Sequence, residues 1–304
     1  MQYYGPVNFL PLDIHAWIIA SGHEVTVEGA MLEIVPQNPH VGAIISGVDV
    51  NTIGDKDFAE IYRAWLDHGV ICVRGQDLDM PGFLAYCRHF GRVKPHLVKR
   101  TRDADYPDIT VMGTNKRKPD GSLDKSVLTR GVGWHTDLPW DQEICKATQL
   151  YAVATPSRGG DTLFTSMYVA WDRLPAALKE RVANLKAEFV YGGRKKPHDD
   201  FLTNEDRARP PALHPVMRTH EETGRTSLYV NPFHITRIAG LADNESDVLI
   251  EELSSHLVHD DAVYRHKWQT GDIVVWDNRC CLHSATGDYP PEEDRVHWRV
   301  TIMQ

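Results

Sequence analysis

The segment Gly133-Trp134-His135-Thr136-Asp137 places an imidazole and a carboxylate two residues apart. In an extended strand, residues i and i+2 point to the same face, so His135 and Asp137 can bind one metal ion. Such a pair also arises by chance, because the 304-residue chain holds 16 histidines and 42 acidic residues. The segment therefore indicates a metal site only if the rest of the chain supplies further ligands.

A third ligand is available beyond the apolar run 273–276. His283 follows this run after the turn-like Asp277-Asn278-Arg279. If the two regions are neighbours in a barrel, His283 joins His135 and Asp137 to give two histidines and one carboxylate, typical of non-haem Fe(II) oxygenases. A catalytic zinc in a hydrolase can use the same three ligands. A non-catalytic barrel that binds an anion beside a structural histidine cluster is a third interpretation.

The last predicted strand, 295–303, has two chemically different faces. Arg295, His297 and Arg299 alternate with apolar residues, so one face is cationic and polar. An exposed antiparallel strand with one face in solvent would have this pattern. Two arginines just after a candidate metal ligand could equally bind two anions through forked hydrogen bonds.

Strand patterns at both ends of the chain, with helical patterns between them, predict an α+β fold with a β-sandwich or barrel around the site. Helices are predicted from Asp55 or Asp57, either of which can cap the first turn, to Gly69, and over 81–91, 174–185 and 248–258. The polar segments 115–131 and 194–211 are predicted as long loops, either of which could close over a site.

Composition restricts the partners and the compartment. The net charge of −9 argues against a nucleic acid or an anionic membrane as the main partner. Five cysteines without a Cys-x-x-Cys pair predict a reducing, cytoplasmic setting. Residues 1–30 lack the pattern of a secretory signal and are predicted to be an N-terminal extension, with a single domain over 31–304. A homo-oligomer is compatible with these observations.

Four motifs in order resemble those of the taurine dioxygenase and 2,4-D dioxygenase (TauD/TfdA) family. They are Trp134-His135-Thr136-Asp137, Gly159-Gly160-Asp161-Thr162, the segment 276–283 and Arg295-Val296-His297-Trp298-Arg299. The resemblance covers about residues 31–304. It implies a dioxygenase that uses Fe(II), 2-oxoglutarate and O2, on a double-stranded β-helix (jelly-roll) core with flanking helices and long active-site loops.

The same resemblance implies roles for individual residues. His135, Asp137 and His283 would be the iron ligands. Thr162 and Arg295 would bind the distal carboxylate of 2-oxoglutarate, and Arg299 would bind the anionic group of the substrate. The implied reaction oxidises a C–H bond of a small anionic substrate and converts 2-oxoglutarate to succinate and CO2.

The chain departs from the taurine enzyme of this family where that enzyme contacts its substrate. His96 matches a substrate-binding histidine, but Lys99 stands where that enzyme has tyrosine, Gly131 replaces an asparagine, and Ser284 replaces an aromatic residue. Lys99 is either one charge of a solvated loop or a second cation for the substrate, and His96 either contacts substrate or makes a structural hydrogen bond. These departures predict a carboxylate, sulfonate or sulfate ester that differs from taurine.

Overall fold

The residues described by the computed structural model, 31–113, 128, 130–194 and 203–304, form 16 β-strands and six α-helices. The strands are β1 Glu33–Pro36, β2 Ala43–Ser46, β3 Val70–Val73, β4 Arg92–Lys94, β5 Thr110–Met112, β6 Cys145–Ala154, β7 Thr162–Ser166, β8 Lys186–Phe189, β9 Ala212–Pro215, β10 Met217–Thr219, β11 Thr226–Leu228, β12 Ile235–Ile238, β13 Val263–His266, β14 Ile273–Asp277, β15 Cys281–Ala285 and β16 Val296–Met303. The helices are α1 Asp55–His68, α2 Met80–Arg88, α3 Met167–Arg173, α4 Ala176–Val182, α5 Asn204–Arg207 and α6 Asp243–Ser255. Residues from Leu32 to Gln304 belong to one unit.

The main sheet has the order β1-β2-β3-β14-β6-β16-β4, and β5 also pairs with β16. Strand β14 lies inside the sheet between β3 and β6 and is buried along its whole length, which explains its uninterrupted apolar sequence Ile273–Trp276. Its neighbours run antiparallel to it. The sheet thus places the strand that precedes His283 beside β6 and near β16.

The two faces of β16 pack against different partners. Trp298, Val300 and Ile302 pack in a core cluster that includes residues of α1 and α2. The alternate residues, including His297 and Arg299, point to the opposite face, because side chains alternate along a strand. The predicted two-faced character of this strand therefore reflects a helix-covered face and an interior polar face.

A second sheet, β13-β7-β15, supplies the other side of this interior. Phe164 of β7 lies 5.7 Å from Trp276 of β14 between ring centroids, so the two sheets meet through their inner side chains. Within β7, Thr162 pairs with Ala285 and Phe164 pairs with His283. Two smaller sheets, β12-β8-β9 and β10-β11, complete the strands.

The observed elements confirm the predicted α+β class and correct some local details. Helix α1 begins after Gly54, which makes no side-chain cap, so Asp55 and Asp57 lie in the first turn rather than at the cap. The predicted helix 174–185 is observed as the shorter helix α4, which begins after Pro175 at its N-cap and ends at Val182, and helix α3, directly before it, was not predicted.

Several predictions fall on residues outside the described part of the chain. These are the extension 1–30, most of the loop 115–131 and residues 195–202 of the loop 194–211. Among the described residues, no helix has both the length and the apolar character needed to cross a membrane.

Candidate functional site

Backbone hydrogen bonds fix the segment that carries His135 against β15. His135 N donates to His283 O at 3.0 Å, and His283 N donates back to His135 O at 2.9 Å. Four residues earlier, Gly131 O accepts from Ala285 N at 2.8 Å, and two residues earlier, Gly133 N donates to Ser284 Oγ at 2.9 Å. This short ladder brings the two histidines together although 147 residues separate them in the sequence.

The three predicted metal ligands converge. The donor atoms of His135, Asp137 and His283 all lie within 4.8 Å of one another. Gly133 O lies 2.7 Å from His135 Nδ1, which leaves Nε2 of this ring for a ligand. His283 Nε2 lies 3.9 Å from Asp137 Oδ2. Two imidazole nitrogens and one carboxylate fit the facial donor set of a non-haem Fe(II) site.

Both imidazoles are held in the neutral form that a metal ligand requires. Burial lowers the pKa of His135, against the attraction of Asp137. Burial, followed by the proximity of His135, lowers the pKa of His283 to about 3. Each ring therefore offers an unprotonated nitrogen at neutral pH.

Hydrogen bonds position the carboxylate of Asp137. The Thr148 hydroxyl of β6 donates to Asp137 Oδ2 at 2.7 Å. Thr148 Oγ1 in turn accepts from Asn278 Nδ2 at 3.0 Å, while Asn278 Oδ1 accepts from Asp137 N at 2.9 Å. This closed set of contacts orients the predicted metal ligand Asp137 through its neighbours, as is usual for metal sites in proteins.

Arg299 forms an ion pair with the carboxylate of Asp137, and its Nη2 atom lies 2.7 Å from Asp137 Oδ1. Burial acts to raise the pKa of Asp137, but the Arg299 guanidinium outweighs it and lowers that pKa. Asp137 is therefore an anion at neutral pH. The residue predicted to bind the substrate thus already contacts a predicted metal ligand.

Thr162 and Arg295 lie at one end of this interior, near the glycine pair that precedes Thr162. Arg295 Nε donates to Gly160 O at 2.9 Å. Gly160 has φ of 68°, and a Cβ atom there would lie 3.0 Å from Arg295 Cδ, so glycine allows the close approach. Trp268 Nε1 donates to Thr162 Oγ1 at 3.0 Å, so the hydroxyl retains its own proton for a further acceptor.

The structure gives the predicted substrate residues His96 and Lys99 different surroundings. Burial, followed by the Arg299 charge, lowers the pKa of His96 to about 4, against the attraction of Asp137. His96 Nδ1 also accepts from Val98 N at 3.2 Å, which is the structural alternative predicted for this residue. Lys99 is exposed, and its charge acts on Asp206. Within the described chain, Lys99 makes no hydrogen bond or ion pair with the three ligands.

Aromatic side chains lie beside His135 on the side of Gly133. The ring of Phe233 lies 6.0 Å from that of His135, and 49% of Phe233 is exposed. His234 contacts Phe233 at 4.8 Å and Trp140 at 4.5 Å between ring centroids. An apolar surface therefore adjoins the candidate metal ligands.

Sequence reasoning missed three residues that act on the site through others: Thr148, Asn278 and Trp268. Asn278 stands in the turn before His283 and could have been suspected from that position. Thr148 and Trp268 lie at positions where buried strand or turn residues are common. Only their neighbours in the folded structure distinguish them from ordinary buried residues.

Residues 33–301 match the family described as taurine catabolism dioxygenase TauD, TfdA family. The alpha-ketoglutarate-dependent 2,4-dichlorophenoxyacetate dioxygenase of Cupriavidus pinatubonensis is 32% identical over 82% of this chain and 90% of its own length. The (S)-phenoxypropionate/alpha-ketoglutarate-dioxygenase of Sphingobium herbicidovorans is 29% identical over 89% of this chain and 94% of its own length.

A solved structure agrees with these relatives. The crystal structure of a taurine dioxygenase from Burkholderia xenovorans superposes with a TM-score of 0.74, at 27% identity over 90% of this chain and 89% of the other. The predicted family and enzyme class are confirmed, with Fe(II), 2-oxoglutarate and O2 as the reactants that the family implies. The chain belongs to the TauD/TfdA family of Fe(II)- and 2-oxoglutarate-dependent dioxygenases.

Proposed function

We propose that this dioxygenase hydroxylates a C–H bond of a small anionic substrate at an iron held by His135, Asp137 and His283. The observation that carries the proposal is the convergence of these three donor sets within 4.8 Å, with the carboxylate oriented by Thr148. Family membership favours this reaction over the zinc hydrolase and the non-catalytic anion-binding barrel that the residues alone left open. We further propose that the main sheet and the sheet β13-β7-β15 form the two layers of a double-stranded β-helix.

Thr162 and Arg295 would bind the distal carboxylate of 2-oxoglutarate. A guanidinium and a hydroxyl together satisfy the oxygens of one carboxylate, and both groups lie at the same end of the interior. Burial lowers the pKa of Arg295, yet a guanidinium stays protonated at any physiological pH. Arg295 therefore carries a positive charge under the conditions of the reaction.

Arg299 and His96 would receive the anionic group of the primary substrate. The relatives are named for aryloxy carboxylates and for taurine, so their named substrates carry an anion. The half-exposed Phe233 beside His135 favours a substrate with an apolar part near the anion. We infer a small carboxylate with an apolar or aromatic portion. Lys99, which is exposed, would contribute to substrate attraction at most from outside the pocket.

Bound Fe(II) with 2-oxoglutarate supplies the oxidising power from O2, and succinate and CO2 are released. The protein's own residues orient the reactants around that chemistry. Arg295 fixes one end of the keto acid, Arg299 fixes the anion of the substrate, and the imidazoles of His135 and His283 stay unprotonated for the metal. The apolar surface beside His135 excludes water from the target carbon.

The test is an aerobic screen of small aryloxy acids, other carboxylates, sulfonates and sulfate esters, with Fe(II) and 2-oxoglutarate. Substrate-dependent succinate release and O2 consumption are expected from the wild type and should be lost in His135→Ala. His40→Ala, in the turn between β1 and β2, is the matched control and should keep full turnover. A hydrolysed product without O2 consumption would favour the zinc hydrolase instead.

Equal turnover by His135→Ala would refute the metal assignment. Arg295→Ala should raise the KM for 2-oxoglutarate at least about tenfold, since a charge-assisted hydrogen bond is worth about 1.5–3 kcal/mol. The cytoplasmic location and the homo-oligomeric state stay predictions, and sedimentation of the purified protein tests the latter.

A further inference from the structure

His297 is a buried imidazole whose two ring nitrogens have no hydrogen-bond partner among the described residues. The side chain is fully buried in the interior, on the same face of β16 as Arg299. A neutral imidazole carries one N–H donor and one acceptor, and burial of both without partners is unfavourable. Buried polar groups of this kind are usually satisfied by a ligand or by ordered water.

The neighbours of His297 are the residues assigned to the co-substrate. Its ring lies 4.4 Å from that of Trp268, at 71° between the ring planes. Trp268 is the side chain that donates to the Thr162 hydroxyl. Arg295 donates to Gly160, two residues before Thr162, so Trp268 and the 160–162 segment link His297 to both residues assigned to the co-substrate.

The strand geometry places His297 between the two arginines. Arg299 lies two residues further along β16, so its Cα atom is about 7 Å from that of His297, and Arg295 directly precedes the strand on the other side. Arg299 contacts the metal ligand Asp137, whereas Arg295 contacts Gly160 beside Thr162. A molecule that extends from Arg295 toward the metal ligands therefore passes His297.

We propose that His297 is a third binding residue for 2-oxoglutarate and donates its ring N–H to an oxygen of the distal carboxylate. This inference rests on the proposed co-substrate site. It adds a neutral donor to the guanidinium and the hydroxyl, so that the carboxylate is held from three sides. His297 thereby selects a keto acid that ends in a second carboxylate.

The experiment compares His297→Leu with His297→Gln by calorimetric titration of 2-oxoglutarate into the Mn(II)-loaded protein without O2. Leucine removes the donor, whereas glutamine retains an N–H. We expect the Kd for 2-oxoglutarate to rise about tenfold in His297→Leu and to recover at least in part in His297→Gln. In turnover, the KM for 2-oxoglutarate should rise in His297→Leu with kcat within about twofold.

A rise of less than threefold in His297→Leu overturns the proposal, and so does an equal weakening by both variants, which would show a role in packing alone. Arg295→Ala is measured in parallel. If it also leaves the Kd unchanged, the proposed co-substrate site itself fails. If it weakens binding while His297→Leu does not, only the assignment of His297 fails.

A measurement on the wild type covers the case in which the variants do not fold. In the Zn(II)-loaded protein with labelled histidine, long-range 1H–15N spectra report both ring nitrogens of His297. Addition of 2-oxoglutarate should shift the signal of the protonated nitrogen as it gains an acceptor. Ring-nitrogen signals that stay at their ligand-free positions at saturating 2-oxoglutarate overturn the proposal.

Discussion

Replacement of Thr148 by valine removes one hydrogen bond to the proposed iron ligand Asp137 and preserves the shape of the side chain. Thr148 is fully buried, and its hydroxyl both donates to Asp137 Oδ2 and accepts from Asn278 Nδ2. A hydrogen bond to a charged group is worth about 1.5–3 kcal/mol. The amide of Asn278 keeps its contact with Cys145 Sγ at 3.2 Å, which limits the cost of the lost acceptor.

We expect Thr148→Val to weaken metal binding 10- to 100-fold, the usual effect of the loss of a group that orients a metal ligand. Calorimetric titration of the metal-free protein with Mn(II) at pH 7 measures the change. Thr301→Val is the matched control, because Thr301 is buried, pairs with Thr148 across β6 and β16, and makes no hydrogen bond to Asp137. Equal Mn(II) affinities for wild type and Thr148→Val would refute the reasoning, whatever the effect on stability.

Three further changes test other parts of the site and its support. Arg299→Gln should raise the KM for the primary substrate at least about tenfold and leave that for 2-oxoglutarate unchanged; a selective effect on 2-oxoglutarate would show that the arginine roles are reversed. Gly160→Ala should raise the KM for 2-oxoglutarate severalfold, because the added Cβ would lie 3.1 Å from Arg295 Nε; an unchanged KM would contradict that contact. Asp277 forms a buried ion pair with Arg279. Asp277→Asn should lower the free energy of unfolding in urea by about 3 kcal/mol at pH 7, because it leaves the buried guanidinium of Arg279 with one charged partner fewer. Burial opposes ionisation of Asp277, but the guanidinium of Arg279 lowers the pKa of Asp277 below its value in the unfolded chain. The ion pair therefore stabilises the fold above about pH 4, and this stabilisation is lost as pH falls further. The difference between wild type and Asp277→Asn should therefore be constant from pH 7 to about 5; a difference that already shrinks in that range would count against the pKa assignment.

The convergence of His135, Asp137 and His283 was predictable from the sequence because local geometry and chemistry agree. A His-x-Asp pair in an extended segment and a histidine just after an apolar strand are both visible in the printed residues. The alternation of Arg295 and Arg299 with apolar residues likewise predicted a strand with a polar face, and β16 has that form. The alternation of apolar and polar residues was enough to predict strand β16, because one face of this strand packs in a core.

Other features depend on contacts between distant parts of the chain. The ion pair between Arg299 and Asp137 joins residues 162 positions apart, and the pattern around neither residue indicates it. Helix α3 was not predicted, because it follows strand β7 directly and no separate turn signal marks its start. The missing partners of His297 could be recognised only after the strands around it were in place.

The reciprocal hydrogen bonds between His135 and His283 have a consequence for redesign of the site. They join main-chain atoms only, so the loss of either imidazole leaves the two backbones in register. The His135 side chain is only partly buried, and removal of its ring would open a recess that a small molecule can enter from solvent. His135→Gly should therefore bind free imidazole or a substituted azole in the space left by the deleted ring, and added imidazole should restore part of the turnover. The position would then accept ligand chemistries that the genetic code does not supply.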